Sequence, residues 1–359
     1  MELEKIDRNF AVKSTLDLPD VEWHDVRQAP FRLYGLYQPL TEPEFKRIPT
    51  ELATRCFEGV LPLHTNTSGG RVRFATDSPY IALKAEMKNQ ACMCHMPRSG
   101  QSSFDLYWDN TTGGYDYKYT LFCPVTATEG FETVADDTRV LGHRFADFIL
   151  HFPTYDNVTN LYIGIKKGSR LTGGKCYAHE EKPVVFAGSS ITQGGCVCRP
   201  GNAYPNIVAR DLDTDILNLG FSGSFRGDQP MMDYIASLPM SAFVYDYDHN
   251  APNAEHLAKT HLNGYLTFRA KQPDTPIVFL SKPDWANDTD AEARQAEILK
   301  TVQYATDHGD KNIRFLDGKH LWDGIHATDC TVDNCHPNDT GHLRMALKVE
   351  AALKELLGW

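Results

Sequence analysis

Acyl transfer by an enzyme hydroxyl needs three groups in reach of one another: the nucleophile, a base to deprotonate it and a carboxylate to orient that base. Ser190 is the candidate nucleophile, in Phe186-Ala187-Gly188-Ser189-Ser190-Ile191-Thr192-Gln193-Gly194. Asp333 and His336 are the candidate acid and base, in Asp333-Asn334-Cys335-His336-Pro337-Asn338. The first segment reads as a buried strand at 183–187 that enters a glycine turn and then a helix, a turn that lifts a serine above the sheet edge. Ser189 stands beside Ser190, and register selects Ser190, three residues past the strand and directly before Ile191-Thr192. A second pair, Asp323 and His326, repeats the Asp-x-x-His spacing ten residues earlier. Pro337-Asn338 and the nearby terminal helix favour Asp333 and His336, and place His326 on a pocket rim or a surface loop. Gly-x-Ser turns also start ordinary capped helices, so the set carries the reading and no single piece does.

The elements that must position these residues differ between the two halves of the chain. Up to about residue 178, short apolar-polar alternations recur. Val72 and Phe74 face one way with Arg71 and Arg73 the other, and Ile81, Leu83, Ala85 and Met87 repeat the pattern. Turn chemistry such as Ser68-Gly69-Gly70 and Thr112-Gly113-Gly114 separates the stretches. Many short strands with such punctuation predict a β-sandwich, jelly-roll-like, over 1–178. From 183 onward strands and helices alternate. Strands are expected at 183–187, 215–219, 242–247, 276–281 and 313–316, and helices most clearly at 254–270 and 290–306. The last helix is expected to present Leu343, Ala346, Leu347, Ala351, Leu353 and Leu357 on one face. This alternation predicts an α/β domain over 183–359, a parallel sheet between helices whose ligands bind at the carboxyl ends of the strands.

Composition narrows the function classes. A chain of 359 residues can bury two ordinary cores, and its 42% hydrophobic and 23% charged residues are ordinary for a globular protein. A formal net charge of -11 with no basic stripe argues against a nucleic-acid partner. No apolar run reaches membrane-spanning length, and Met1-Glu2-Leu3-Glu4-Lys5 lacks the pattern of a secretory signal. The nine cysteines therefore read as reduced thiols, and the expected compartment is the cytoplasm. Cys92-Met93-Cys94-His95, Cys196-Val197-Cys198 and Cys330 with Cys335-His336 put thiols near imidazoles, but Cys-x-Cys spacing fits zinc poorly. No metal and no cofactor are expected.

In the residues just quoted the chain resembles the SGNH (GDSL-type) esterases and acylhydrolases. Gly188-Ser189-Ser190-Ile191-Thr192 matches that family's first block, with Ser189 where an aspartate is usual. Asn218-Leu219-Gly220-Phe221-Ser222-Gly223 matches the second, Asn250 in Asp246-Tyr247-Asp248-His249-Asn250 the third, and Asp333 to His336 the fifth. The two-domain branch carries an N-terminal G-x-D-L-Y motif, present here as Phe104-Asp105-Leu106-Tyr107 with Ser103 at the glycine position. The resemblance implies a flavodoxin-like three-layer α/β/α catalytic domain and an oxyanion hole made by the backbone N–H groups of Ser190 and Gly223 and the amide of Asn250. It implies a metal-independent serine esterase acting on small O-acyl esters, O-acetyl groups of sugars or oligosaccharides among them. The partner expected is thus a small acylated substrate, a glycan included; a homo-oligomer is compatible with it. Arg199, Arg226 and Trp285 are expected to line the pocket. An acyltransferase using the same acyl-enzyme, or a silent glycan-binding protein, are the alternatives.

Overall fold

The computed structural model describes residues 15–88, 92–135, 144–285 and 288–359, so the segment Met1 to Lys5 read for targeting lies outside them. Among the described residues the alternating stretches of the first half form ten strands: β1 (Val21–Asp25), β2 (Arg32–Tyr34), β3 (Arg71–Thr76), β4 (Ile81–Lys88), β5 (Phe104–Asp109), β6 (Tyr115–Leu121), β7 (Gly130–Ala135), β8 (Ala146–His151), β9 (Asn157–Lys166) and β10 (Leu171–Thr172). They build one sheet in the order β1-β9-β4-β7 and a second in the order β10-β3-β8-β5-β6, with β2 added beside β3. Every pairing in both is antiparallel. The inward residues of both sheets, among them Val72, Phe74, Leu83, Leu106, Phe148, Leu161 and Ile163, form one apolar cluster. Burial on β3 departs from simple alternation. Arg71 and Arg73 are as buried as Val72 and Phe74, so the polar side of this strand is covered by protein and not by water.

The second half supplies five parallel strands, β11 (His179–Gly188), β12 (Thr214–Gly220), β13 (Ala242–Asp246), β14 (Ile277–Leu280) and β15 (Ile313–Leu316), in the order β12-β11-β13-β14-β15. Their apolar residues pack on two faces. Leu219, Phe243, Tyr245 and Phe279 belong to one cluster, and Val184, Phe186, Val244 and Val278 to the other. Burial on both faces is why these strands read as continuous apolar runs. The long helices Ala254–Lys271 and Ala291–Asp307 match the expected stretches within a residue or two. The terminal helix Asp339–Leu357 is rotated relative to expectation. Met345, Ala346, Val349, Ala352 and Leu353 are its buried stripe, while Leu343 and Leu347 are exposed. The stripe keeps the i, i+4, i+7 spacing, and the leucines sit on its flank.

The chain divides into two compact units. The first contains residues 1–46, 65–176 and 199–201, and the second contains 47–64, 177–198 and 202–359. Residues 47–64 join the second because Ile48, Leu52, Ala53 and Val60 enter the cluster around Leu219 and Phe221. Arg47 adds a bond to the Asn218 carbonyl at 3.2 Å and stacks over Phe221 at 4.3 Å. Among the described residues no helix is long and apolar enough to cross a membrane.

Candidate active site

Three neighbouring strands end together. Gly188 on β11 pairs with Gly220 on β12 and with Asp246 on β13. Both glycines are required by close approach. A Cβ on Gly188 would stand 2.1 Å from the Asp246 carbonyl, and one on Gly220 would stand 2.3 Å from the Gln193 amide. The chain then leaves β11 into the short helix Ser190–Gln193. The adjacent serines take different places. Ser189 is fully buried and caps the helix, its Oγ accepting from the Ile191 N–H at 3.1 Å. Ser190 Oγ lies 2.9 Å from His336 Nε2.

The His336 loop is shaped by Asp333. Its Oδ1 accepts the backbone N–H groups of Cys335 at 3.1 Å and His336 at 2.7 Å, and its Oδ2 meets His336 Nδ1 at 2.8 Å. Burial works against the charge on Asp333. The His336 and Cys335 N–H groups and the His336 ring nevertheless hold its carboxyl below the usual range. Asn334 sits in the left-handed region at φ 67°, and the Val332 N–H reaches the His336 carbonyl at 2.9 Å, closing the loop. Asn338 anchors the far side by capping the terminal helix through the Thr340 and Gly341 N–H groups.

The other pair of similar spacing does not form. Asp323 bonds His320 at 2.8 Å and His326 pairs with Asp329 at 3.1 Å, with the His326 side chain 75% exposed. Gly223, past β12, has φ +64° and open space where a Cβ would go, so backbone conformation and not crowding asks for glycine. Asn250, in the short turn after β13, is buried and donates from Nδ2 to the Phe221 carbonyl at 2.9 Å. That bond orients the amide and uses one of its two protons.

The carboxylate beneath the Ser190–Gln193 helix leaves no mark in the sequence. Asp246 Oδ2 accepts the hydroxyls of Thr192 at 3.0 Å and Tyr204 at 2.9 Å. Complete burial pushes its carboxyl up to about 6 against those bonds. Asn218 Nδ2 donates to the Thr192 carbonyl at 2.7 Å, tying β12 to the same helix. His342 closes the back of this layer. Its Nδ1 accepts the Tyr204 N–H, its Nε2 reaches the Gly195 carbonyl at 3.0 Å, and burial lowers it to about 4, so it stays neutral.

The expected pocket residues are distributed. Arg226 donates to the Gly223 carbonyl at 3.3 Å and lies over the Phe57 ring at 3.7 Å. Trp285 has Lys319 Nζ 3.9 Å from its ring centre and lines a cavity of about 410 Å³ with Trp322, Thr331 and Asn334. Arg199 belongs to the first unit, where its guanidinium meets the Tyr107 hydroxyl, approaches Asp105 Oδ2 at 3.5 Å and stacks over Tyr117 at 4.0 Å. Asp105, the acid of the G-x-D-L-Y-like motif, also accepts the Gly201 N–H at 2.9 Å and faces His151 at 3.0 Å. A Cβ on Gly201 would meet Tyr107 at 2.5 Å. The motif is therefore a built cradle for Arg199 and Gly201. None of the nine cysteines, all of them among the described residues, forms a disulfide.

Comparison with known proteins follows the same division. Residues 181–354 match the GDSL-like lipase/acylhydrolase family, and residues 21–171 match the GxDLY family, the N-terminus of SGNH-hydrolase-type esterases. A GDSL-like lipase from Bacteroides ovatus ATCC 8483 is 25% identical with a TM-score of 0.83, the match covering 94% of this chain and 98% of that one. A salicylyl-acyltransferase from a tetracycline biosynthetic pathway is 19% identical at TM-score 0.76, with 94% and 98% covered. A family two carbohydrate esterase from Clostridium thermocellum, in complex with cellohexaose, is 14% identical at TM-score 0.62, with 92% and 99% covered. No curated protein sequence is significantly similar to the chain. Matched in both halves, the chain belongs to the two-domain SGNH (GDSL-type) esterases, a family of carboxylic ester hydrolases.

Proposed function

We propose that the protein is a serine esterase that removes small O-acyl groups, O-acetyl on sugars or oligosaccharides first among them, through an acyl-enzyme. The observation that carries this is the continuous hydrogen-bonded line from Ser190 Oγ through His336 to Asp333, at 2.9 and 2.8 Å. In this reading Ser190 attacks the acyl carbonyl while His336 Nε2 takes its proton. Asp333 holds the tautomer with the proton on Nδ1 and stabilises the imidazolium that forms. The oxyanion is met by the N–H groups of Ser190 and Gly223 and by the second amide proton of Asn250, each such donor worth about 3–4 kcal/mol. His336 then returns the proton to the leaving alcohol. Water, activated by the same imidazole, releases the acid and restores Ser190.

The test is a panel of p-nitrophenyl esters and acetylated sugars, with mass spectrometry of the protein during turnover. The expected result is preferential cleavage of acetyl esters and a transient mass increase of one acetyl group on Ser190. The sugar esters enter the panel because carbohydrate esterases share the fold. Including free sugar and alcohol acceptors separates hydrolysis from transfer: an acylated acceptor as main product would make the protein an acyltransferase.

A further inference from the structure

A second imidazole stands beside the array. His249 directly precedes Asn250, and Cys335 directly precedes His336. His249 Nδ1 lies 3.8 Å from Cys335 Sγ. Its Nε2 lies 3.1 Å from Asp284 Oδ1, with the two side chains 9% and 7% exposed. Asp284, four residues past β14, also approaches Lys282 Nζ at 3.4 Å, and Lys282 pairs in turn with Asp288. The turn after β13, the segment after β14 and the His336 loop thus meet through one ring.

The nitrogen, oxygen and sulfur atoms here lie within 4.8 Å of one another, a donor set that zinc accepts. The arrangement is nevertheless that of a relay. An imidazole lends an ion one nitrogen, whereas the two nitrogens of His249 address two different residues, and Lys282 already brings a cation to Asp284. Burial disfavours the charged ring, yet Asp284 and Cys335 push His249 up to about 10. Such a ring stays an imidazolium at neutral pH and offers donors on both sides, so it serves as a fixed strut and not as a base.

We propose that His249 is a positioning residue which, by holding Cys335 from the Asn250 turn, fixes the His336 base relative to the oxyanion donor. The His336 loop needs such a hold. Its acid is a third exposed, its Asn334 is left-handed, and most of the bonds within it are local. A misplacement of ~1 Å between reacting groups costs on the order of 100-fold in rate. The inference rests on the reading of Ser190, His336 and Asp333 as the catalytic array.

The experiment measures kcat and KM on p-nitrophenyl acetate, together with the rate at which a fluorophosphonate labels Ser190, in the full chain. Cys335→Ala is expected to lower kcat and the labelling rate about 10-fold with KM within about twofold. Cys335→Ser, whose hydroxyl accepts the same N–H, should recover most of that loss. His249→Gln should match Cys335→Ala, and the double variant should be no worse than either single one, since both cut one link. If His249→Gln does not fold, the Ala and Ser variants at 335 decide alone. Full kcat and labelling in Cys335→Ala overturn the proposal, as does a double variant whose loss is the product of the single losses. Ser190→Ala run in parallel keeps the two levels apart. An active Ser190→Ala refutes the catalytic reading itself, whereas a dead one beside an unimpaired Cys335→Ala refutes the positioning role alone.

Discussion

Two acid–imidazole pairs flank the same strand ends, and they are built differently. Asp333 and His336 come from one four-residue turn, keep 34% and 21% of their side-chain surface exposed, and point the remaining ring nitrogen at a hydroxyl. Asp284 and His249 come from separate loops, are almost wholly buried, and point the remaining nitrogen at a thiol. His336 is partly solvated and stands beside a single carboxylate, the placing that suits the base proposed above. A ring sealed between Asp284 and Cys335, raised to about 10, cannot release its proton near neutral pH. Chemical type is the same in both places; burial and neighbours set the two proposed roles apart.

The largest effect expected is from loss of the proposed base. His336→Ala should lower kcat for an activated ester by at least ~10³-fold, while His326→Ala, on a side chain 75% exposed and paired with Asp329, should stay within about twofold. Equal losses from the two variants would break the assignment. Next in size is the proposed oxyanion donor. Asn250→Ala removes an amide already aimed by the Phe221 carbonyl, and kcat should fall by about 10² to 10³ with KM little changed.

The smallest effect separates a buried acid from a solvated one. Asp246 is raised from 3.8 to about 6 by burial, so the native state holds its proton more tightly than the unfolded chain. The stability this lends is complete below about pH 4 and is lost as pH rises through 6, roughly 3 kcal/mol at the limit. Asp246→Asn is neutral throughout. Its Tm relative to the parent protein should therefore climb between pH 4 and pH 7, and parallel Tm curves would contradict the burial argument. Asp333 has the opposite sign, because its folded-state pKa is depressed. Its contribution is present above the ordinary carboxylate range and lost as pH falls through the depressed value.

Legibility in the sequence followed the range of the interactions. The five strands of the parallel sheet were readable because both faces are apolar, and the helices at 254–271 and 291–307 because their period is strong. Ser190, Asp333 and His336 stand out as candidates because strand-turn-helix and a local Asp-x-x-His loop are contiguous patterns, and the structure brings the three within hydrogen-bond reach. Features assembled from distant segments left no such mark. Asp246 reads as the polar end of a strand, and nothing in its neighbours announces the Tyr204 hydroxyl 42 positions upstream. The cradle of Asp105 and Tyr107 around Arg199 and Gly201 joins residues more than 90 apart. Residues 47–64 lie within the N-terminal half of the chain, yet their apolar side chains complete the core beside Leu219 and Phe221. The outward turn of Leu343 and Leu347 shows the remaining weakness: a leucine count per face does not fix which 100° of a helix meets the sheet.

Covalent trapping distinguishes Ser190 from its neighbour as the proposed nucleophile of an acyl-enzyme. The folded protein is treated with a fluorophosphonate, digested, and the modified peptide sequenced by mass spectrometry, with Ser189→Ala and Ser190→Ala treated alongside. One adduct is expected, on Ser190, formed by the parent protein and by Ser189→Ala and absent from Ser190→Ala, since Ser189 Oγ is buried as a helix cap. An adduct on Ser189, or undiminished esterase activity in Ser190→Ala, would contradict it.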